Sequence, residues 1–387
     1  MSSATSVCHV ARRHRGYPGK EFYTPYLWKD CIVFILILRV ASILFGIFLI
    51  RTVLLSAIRT FVLPRGVEDR LSRRAFTITR KLFDIRAVRA KTYVERDSIM
   101  ALYAPVALFT LPLMWLSIVM IGYMAIFWAL RERGALDALS VSGSSLLTLG
   151  FDSGDTGGQI ILTFTEAAIG LLLAAILIAY LPTMYSAWSR REAAVALLEV
   201  RAGSPPSAGE FILRFHRLRR LDRINEIWPT WEAWFIDVEE SHTSLGALSF
   251  FRSPQPDRSW VTAAGAVLDT AALCISTIDI AVDVETHLCL RAGYIALRRI
   301  AGFFRLAFES DPRFPMHPIA VSREEYDQVV ENLARNGVPI KADREQAWLD
   351  FAGWRVTYDT PLLRLAQLTM APYAEWSSDR SLPRGRE

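Results

Sequence analysis

Ser142-Gly143-Ser144-Ser145-Leu146-Leu147-Thr148-Leu149-Gly150-Phe151-Asp152 sits between two long apolar segments and is itself too short and too polar to cross a bilayer. A helix, a short re-entrant loop and a second helix form a layout that lets such a stretch dip into lipid and return. Backbone outside a helix is tolerated at that depth only where protein buries it or a water-filled path uses its carbonyls. Everything else in the chain is arranged around how this loop is read.

Working outward, three stretches are long and apolar enough to span: Cys31 to Ile50, Ile99 to Leu130 and Ile160 to Ser189, each at or beyond the roughly 20 residues a bilayer requires. The second carries no charged residue. The first begins too late and lacks the small-residue cleavage site of a signal peptide, so it reads as a retained anchor. With 387 residues and 52% hydrophobic content, the apolar residues crowd into the first half, which suggests a membrane part and a soluble part. The expected organisation is an N-terminal tail over 1–30, a first transmembrane helix over 31–63 and a basic linker over 64–98. A pore module over 99–190 follows, with outer helix 99–130, pore helix and filter 135–153 and inner helix 160–189. A linker over 191–209 then leads to a cytoplasmic helical domain over 210–387.

Charge sets the orientation. Residues 65–97 carry ten Lys or Arg (Arg65, Arg70, Arg73, Arg74, Arg80, Lys81, Arg86, Arg89, Lys91, Arg96) against five acids, which marks that segment as cytoplasmic. Between the second and third spans stand only Arg131 and Arg133, with Glu132, Asp137, Asp152 and Asp155, and the chain beyond the third span resumes with Arg190 and Arg191. The loop then faces outward and the C-terminal half inward. The N-terminus falls outside despite Arg12, Arg13, Arg15, Lys20 and Lys29. Arg39, Arg51 and Arg59 lie in or beside the first span, where an Arg near the centre costs about 2.5 to 3.5 kcal/mol. They read as snorkelling or paired residues of a long tilted helix rather than voltage sensors, which repeat Arg at regular short spacing.

The net charge of +5 is explained by these flanking clusters, so nucleic acid is not an expected partner. Cys8, Cys31, Cys274 and Cys289 form no CxxC pair and no metal-finger spacing, and read as ordinary thiols. Beyond the third span, Gly203-Ser204-Pro205-Pro206-Ser207-Ala208-Gly209 is a turn or hinge by composition. From Glu210 onward the pattern is helical: Phe211, Phe215, Leu218 and Leu221 recur near a 3.6 period, as do Val261, Val267, Leu268 and Ala272, and then Leu288, Ile295 and Ile300. Ser322-Arg-Glu-Glu325 is a capping-box start and Asn336-Gly337 a stop. No alternating β-pattern is present, so the expected fold class is all-α: a membrane pore domain plus a soluble helical bundle.

Residues 135–147 can form a short helix whose C-terminal dipole points at the turn Thr148-Leu149-Gly150-Phe151. The stretch from Ser142 to Asp152 resembles the pore signature of the two-helix potassium channels, whose filter reads Thr-Val-Gly-Tyr-Gly-Asp. Thr148, Leu149, Gly150 and Phe151 match its first four positions in kind. The resemblance implies a homotetramer that conducts potassium through one loop per chain. Asp152 replaces the family's second glycine. Asp accepts the left-handed backbone region better than most residues, at some cost, and its carboxylate would charge the outer mouth, with Asp155 adding to the ring. Such a ring draws cations generally, so cation permeation is better supported than selection of potassium.

The inner helix extends the resemblance. Gly170 stands where it implies a gating hinge, with Ala167, Ala174 and Ala175 as a small-residue surface, and Pro182 would kink the helix near a bundle-crossing gate. Glu166 is the only acid in that span, placed to stabilise the pore helix, to line the outer vestibule or to sit wet near the surface. The resemblance covers 99–190. The stretch from Glu240 to Asp269 is also similar to segments of bacterial membrane proteins with pore-like loops, a likeness that carries no function.

Residues 210–387 have no GxGxxG after a strand, no P-loop and no GxSxG elbow, so neither a dinucleotide gating ring nor an enzyme is expected. Glu239-x-x-His242, with Asp283 and His287, has the spacing of di-iron bundles but lacks the second half of such a site. His216, among Arg214, Arg217, Arg219 and Arg220, reads as a basic surface near anionic lipid heads. The expected protein is thus a multi-pass cell-membrane cation channel with no cofactor beyond the permeant potassium or other monovalent cation. Its partners would be membrane lipids, monovalent cations and its own copies. The alternatives are a non-conducting membrane-anchored signalling or scaffold protein with a degenerate pore loop, and a membrane-tethered helical metalloenzyme.

Overall fold

Apolar runs too long for a soluble helix become three long helices in the computed structural model, which describes residues 24–61, 69–130 and 134–379. Cys8, Arg12, Arg13, Arg15, Lys20, Arg65, Arg131, Glu132 and Arg133 lie outside the described residues, as do the side chains of Lys29 and Cys31. Helix α1 covers Thr24–Phe61, α2 Arg70–Ala87, α3 Tyr93–Ala101, α4 Tyr103–Leu130, α5 Ala135–Leu146 and α6 Gly157–Ala202. Then follow α7 Ala208–Arg217, α8 Trp228–Ser244, α9 Trp260–Ser276, α10 Val284–Phe303, α11 Arg323–Arg335, α12 Arg344–Arg355 and α13 Asp359–Thr369, with short 3-10 turns at Leu221–Ile227 and Gly246–Phe250. Among the described residues there is no strand, only an isolated bridge between Ile278 and Ile340. The chain is all-helical, and Ile32–Phe61, Tyr93–Leu130 and Gly157–Ala202 are long and apolar enough to cross a membrane.

The three long helices are each shared between two compact units. The first holds the described parts of residues 1–52 and 117–170. Within it α1 and α4 cross at glycines: a Cβ on Gly46 would come within 2.4 Å of the Gly122 carbonyl oxygen, so the backbones touch where only hydrogen separates them. Ser42 Oγ donates to the Ala125 carbonyl beside that crossing, at 2.9 Å.

The second unit, residues 53–116 and the described part of 171–387, holds the other halves of the long helices and all later elements. A polar knot joins its span segments. Asp69 caps α2, accepting from the Ser72 backbone N–H at 2.8 Å and from Ser56 Oγ of α1 at 2.5 Å. Trp115 of α4 donates its indole N–H to Ser56 Oγ at 3.1 Å, and Phe61 meets Trp115 and Tyr180 edge-on. The segment expected as a basic linker is therefore ordered, as α2 and α3, against the ends of the spans.

One hydrophobic core runs through the rest, from Val195, Leu198 and Ala202 of α6 to Trp376. The turn around Gly203 joins two helices of that one core, because Ala202 and Phe211 on either side of it share the cluster. Helix α9 is its axis and is almost wholly buried. Its one acid, Asp269, accepts from Arg355 Nη1 at 2.5 Å and from the Tyr358 hydroxyl at 2.8 Å, while Arg355 Nε donates to Asp359 at 2.8 Å. The third guanidinium nitrogen, Nη2, donates to the Trp376 carbonyl. The capping box at Ser322 and Glu325 forms as the sequence predicts, and Gly337 takes φ 83° just past Asn336. Cys274 and Cys289 are buried and unbridged, and burial pushes the Cys274 thiol up to about 12.

Removing one partner of a buried ion pair strands the others in low dielectric, at a cost of about 3 to 5 kcal/mol. Arg355→Met is therefore expected to lower the thermal midpoint of the detergent-solubilised protein by many degrees. An unchanged midpoint would show that the Asp269 and Asp359 contacts contribute nothing net.

Candidate functional site

The polar stretch between the second and third spans folds as a short helix and a tight turn. Helix α5 turns Ala138, Val141, Ser142, Ser144, Ser145 and Leu146 inward. It stops by a Schellman motif: Leu149 N–H reaches back to the Ser144 carbonyl at 2.8 Å and Thr148 N–H to the Ser145 carbonyl at 3.0 Å. That motif demands a left-handed residue, and here it is Thr148, at φ 55°. Arg219, Arg305 and Met370 occupy the same position after α7, α10 and α13, but Thr148 is the β-branched one, for which left-handed backbone is a genuine outlier. Gly150 follows at φ 73°, so two of three consecutive residues are left-handed.

Ser144 then clamps the far side of the turn. Its hydroxyl donates to the Asp152 carbonyl at 2.8 Å and accepts from the Asp152 N–H at 2.9 Å. This corrects one expectation: Asp152 is not in the left-handed region, because both its backbone groups are pinned to Ser144 and the helix stop places the excursion at Thr148 instead. The turn carries Leu149 and Phe151 on its outside, 61% and 67% exposed in the single chain. Asp155 lies just before α6, its N–H donated to Gln159 Oε1 at 2.9 Å, so both acids stand on the C-terminal side of the turn.

Behind the turn, α6 supports α5 at two points. Glu166 is fully buried, 0% exposed, and accepts from Ser142 Oγ at 2.5 Å. Of the roles open to it, a wet surface position is thus excluded and bracing the short helix is what its geometry does. Gly170 packs against the last residue of α5, where a Cβ would stand 2.4 Å from the Leu146 carbonyl oxygen. The structure gives this glycine a packing reason independent of any hinge. Pro182 lies inside α6, in the second unit, and the helix runs on past it to Ala202. The ring in place of its N–H leaves the Ile178 carbonyl without its helical donor. Serine as clamp and brace was not read from the sequence. The signal available was three serines within one turn of a helix stop.

The residues suggested for a metal are engaged elsewhere. Glu239 accepts from Arg299 Nη1 at 2.5 Å. His242 is buried with Nε2 3.2 Å from Arg191 Nη1, and since a guanidinium only donates, that lone pair is taken and the ring proton sits on Nδ1. His287 packs on Trp354, and among the described residues no three His, Cys, Asp or Glu side chains group to hold a metal ion. Of the basic residues beside His216, Arg214 turns to Glu210 at 2.8 Å. No known family, no curated protein and no solved structure matches this chain.

Two outcomes follow from these contacts. Gly170→Ala is expected to cost about 1 to 3 kcal/mol by overpacking against Leu146, whereas Gly158→Ala, where a Cβ meets nothing within 4 Å, should not lower the thermal midpoint. Equal midpoints for the two variants would remove Gly170 as a packing contact. Burial, and then the neighbouring Arg191 charge, hold His242 well below its ordinary value of 6.5. The unfolded chain takes up a proton there as pH falls through about 6.5 while the folded chain does not, so stability is expected to be flat above that pH and to decline below it, by up to about 1.4 kcal/mol per unit. Thermal midpoints between pH 8 and 5 should show this slope in the wild type and a shallower one in His242→Phe; identical slopes would place the titration elsewhere.

Proposed function

We propose that this chain is a subunit of a homotetrameric membrane cation channel, with the C-terminal helical domain on the cytoplasmic side of the cell membrane. Its constriction is built by the loop Thr148-Leu149-Gly150-Phe151-Asp152, and it passes potassium or another monovalent cation. The observation that carries this reading is the pair of left-handed residues, Thr148 and Gly150, at the exposed end of a braced short helix. Strain of that kind persists where function needs the backbone in a rare conformation, and it costs on the order of 1 to 3 kcal/mol. A carbonyl-lined path needs such backbone, and the C-terminal end of α5 supplies a negative dipole favourable to cations.

The Asp152 carbonyl already accepts from Ser144, so the oxygens offered to an ion are those of Thr148 through Phe151. Exposed Leu149 and Phe151 fit a loop completed by neighbouring copies, since a single chain leaves them uncovered. Asp152 and Asp155 would charge the outer mouth and favour cations without choosing among them. Gly170 and Pro182 take the gating roles, the first by limiting how far α6 can part from α5.

Ion flux from liposomes tests this, with potassium, sodium and a large organic cation compared. Gly150→Ala forces a side chain into left-handed backbone at about 1 to 2 kcal/mol and is expected to abolish flux. Thr148→Gly relieves the strain, so it should raise the thermal midpoint while reducing flux or ion preference. Flux indifferent to both would place any pathway elsewhere. An intact tetramer with no flux under any condition would favour the non-conducting scaffold.

A further inference from the structure

A cavity of about 340 Å³ lies within the second unit, in the size range of small-ligand sites, on the order of 300 to 1,000 Å³. Aromatic rings make up much of its wall: Phe61 of α1, Phe76 of α2, Tyr180 of α6, Phe250 of the turn at Gly246–Phe250, and Phe303 and Phe304 at the end of α10. Most of them already meet edge to face. Phe61 pairs with Tyr180 at 4.3 Å between centroids, and Phe304 with Phe250 and Phe303 at 5.5 and 5.0 Å. The Phe303 ring is seated on Gly246, where an added Cβ would stand 2.7 Å from it. A wall of this kind favours a guest whose own ring joins the same edge-to-face and offset contacts.

Among the described lining residues, no buried charge is left unengaged. Asp69 accepts from the Ser72 N–H, from Ser72 Oγ at 3.0 Å and from Ser56 Oγ. Arg73 and Arg305 are engaged within the protein, and Arg59 is exposed. An ionised ligand would give up its hydration for no new buried partner, so the guest is uncharged. The hydroxyls on the wall are taken too, with one exception. Those of Thr60 and Ser72 bond each other at 2.8 Å, Thr243 Oγ1 donates to the Glu239 carbonyl at 2.7 Å, and Ser244 Oγ donates to Glu240 Oε1 at 3.2 Å. Tyr180 is engaged through its ring alone: among the described residues its hydroxyl has no hydrogen-bond partner. A phenolic donor at an aromatic wall suits an oxygen carried by the guest.

We infer that this cavity binds an uncharged aromatic molecule of about two fused rings, packed among the phenylalanines and accepting a hydrogen bond from Tyr180 through a hydroxyl or carbonyl oxygen. The size follows from the volume, since an apolar cavity of about 150 Å³ takes one benzene and this one has room for two rings and a substituent. An aliphatic chain fills the same space but uses neither the ring contacts nor the hydroxyl. The guest would touch α1, α2, α4, α6 and α10 at once, because each contributes to the wall. The inference rests on the fold of the second unit, not on conduction.

The test is calorimetric titration of the full-length protein in a neutral detergent, with the detergent alone as blank and naphthol, naphthalene, decahydronaphthol and naphthoate as separate probes. A saturable site is expected for naphthol. Decahydronaphthol, which keeps the oxygen but loses the ring contacts, should bind about threefold or more weakly, and the naphthoate anion should show no saturable binding. Tyr180→Phe keeps the ring and removes the hydroxyl, so it should weaken naphthol by about fivefold and leave naphthalene unchanged. Ala247→Phe fills the cavity and should weaken both. Tyr185→Phe, at an exposed position outside the cavity, should change neither. Wild-type affinity for naphthol in either cavity variant would overturn the proposal, as would the lack of a saturable site. Equal binding of decahydronaphthol would overturn it in favour of an aliphatic occupant, and equal binding of naphthoate in favour of an anion. Each result is read without ion flux, so it stands or falls apart from the channel reading.

Discussion

A buried backbone group without a partner costs a hydrogen bond, and the stop of α5 is where this chain meets that constraint. A helix end leaves carbonyls unpaired, and here the Schellman bonds from Thr148 and Leu149 return to the Ser145 and Ser144 carbonyls. The hydroxyl of Ser144 then takes both backbone groups of Asp152. One serine thereby fixes where the loop starts, where it ends and which residue between them must be left-handed. Ser142, half a turn away, ties the same helix to Glu166 of α6. The loop is held entirely from behind, which is what leaves its outer side uncommitted.

A related economy governs the second unit, where three arginines reach backbone carbonyls at the ends of helices and turns. Arg191 of α6 donates to the Leu248 and Phe251 carbonyls, at 2.9 and 2.7 Å. Arg252 donates to the Met370 carbonyl at 2.8 Å and pairs with Asp97 of α3 at 3.1 Å. Arg355 closes the Trp376 carbonyl while holding two acids. A planar fork of five donors suits this use better than an ammonium would, because its donors are fixed in direction. These three residues tie α3, α6, the turn at Gly246–Phe250 and the C-terminal helices to one another.

What was legible in the sequence was local. The short helix, expected over 135–147 and observed over Ala135–Leu146, and the capping box at Ser322 each depend on residues within a turn of one another. The Ser142 to Glu166 contact spans 24 residues and required knowing how α5 leans on α6. Residues 65–97 announced their charge but not their structure, since ten basic residues concealed the spacing of Ile78, Leu82 and Ile85. The cavity was wholly illegible, because Arg59, Arg73 and Arg305 come from three separate elements brought together only by the fold.

The division of the long helices between two units has its own physical cause. In the first unit α1 and α4 offer each other glycine and serine, and most of the remaining surface of α1 there, from Ile32 through Phe48, is apolar and exposed, which suits lipid as the neighbour. Past residue 52 the same helix presents Ser56 and Thr60, and α4 presents Trp115, groups that must find partners. Ser56 and Thr60 find Asp69 and Ser72 at the start of α2, and Trp115 finds Ser56. Contact with lipid asks nothing of a helix beyond apolarity, whereas contact with a polar cap fixes rotation and register. The halves of the spans that meet α2 are therefore specified by that polar cap, and the halves in the first unit are specified by small residues, by contacts with α5 and by whatever surrounds them.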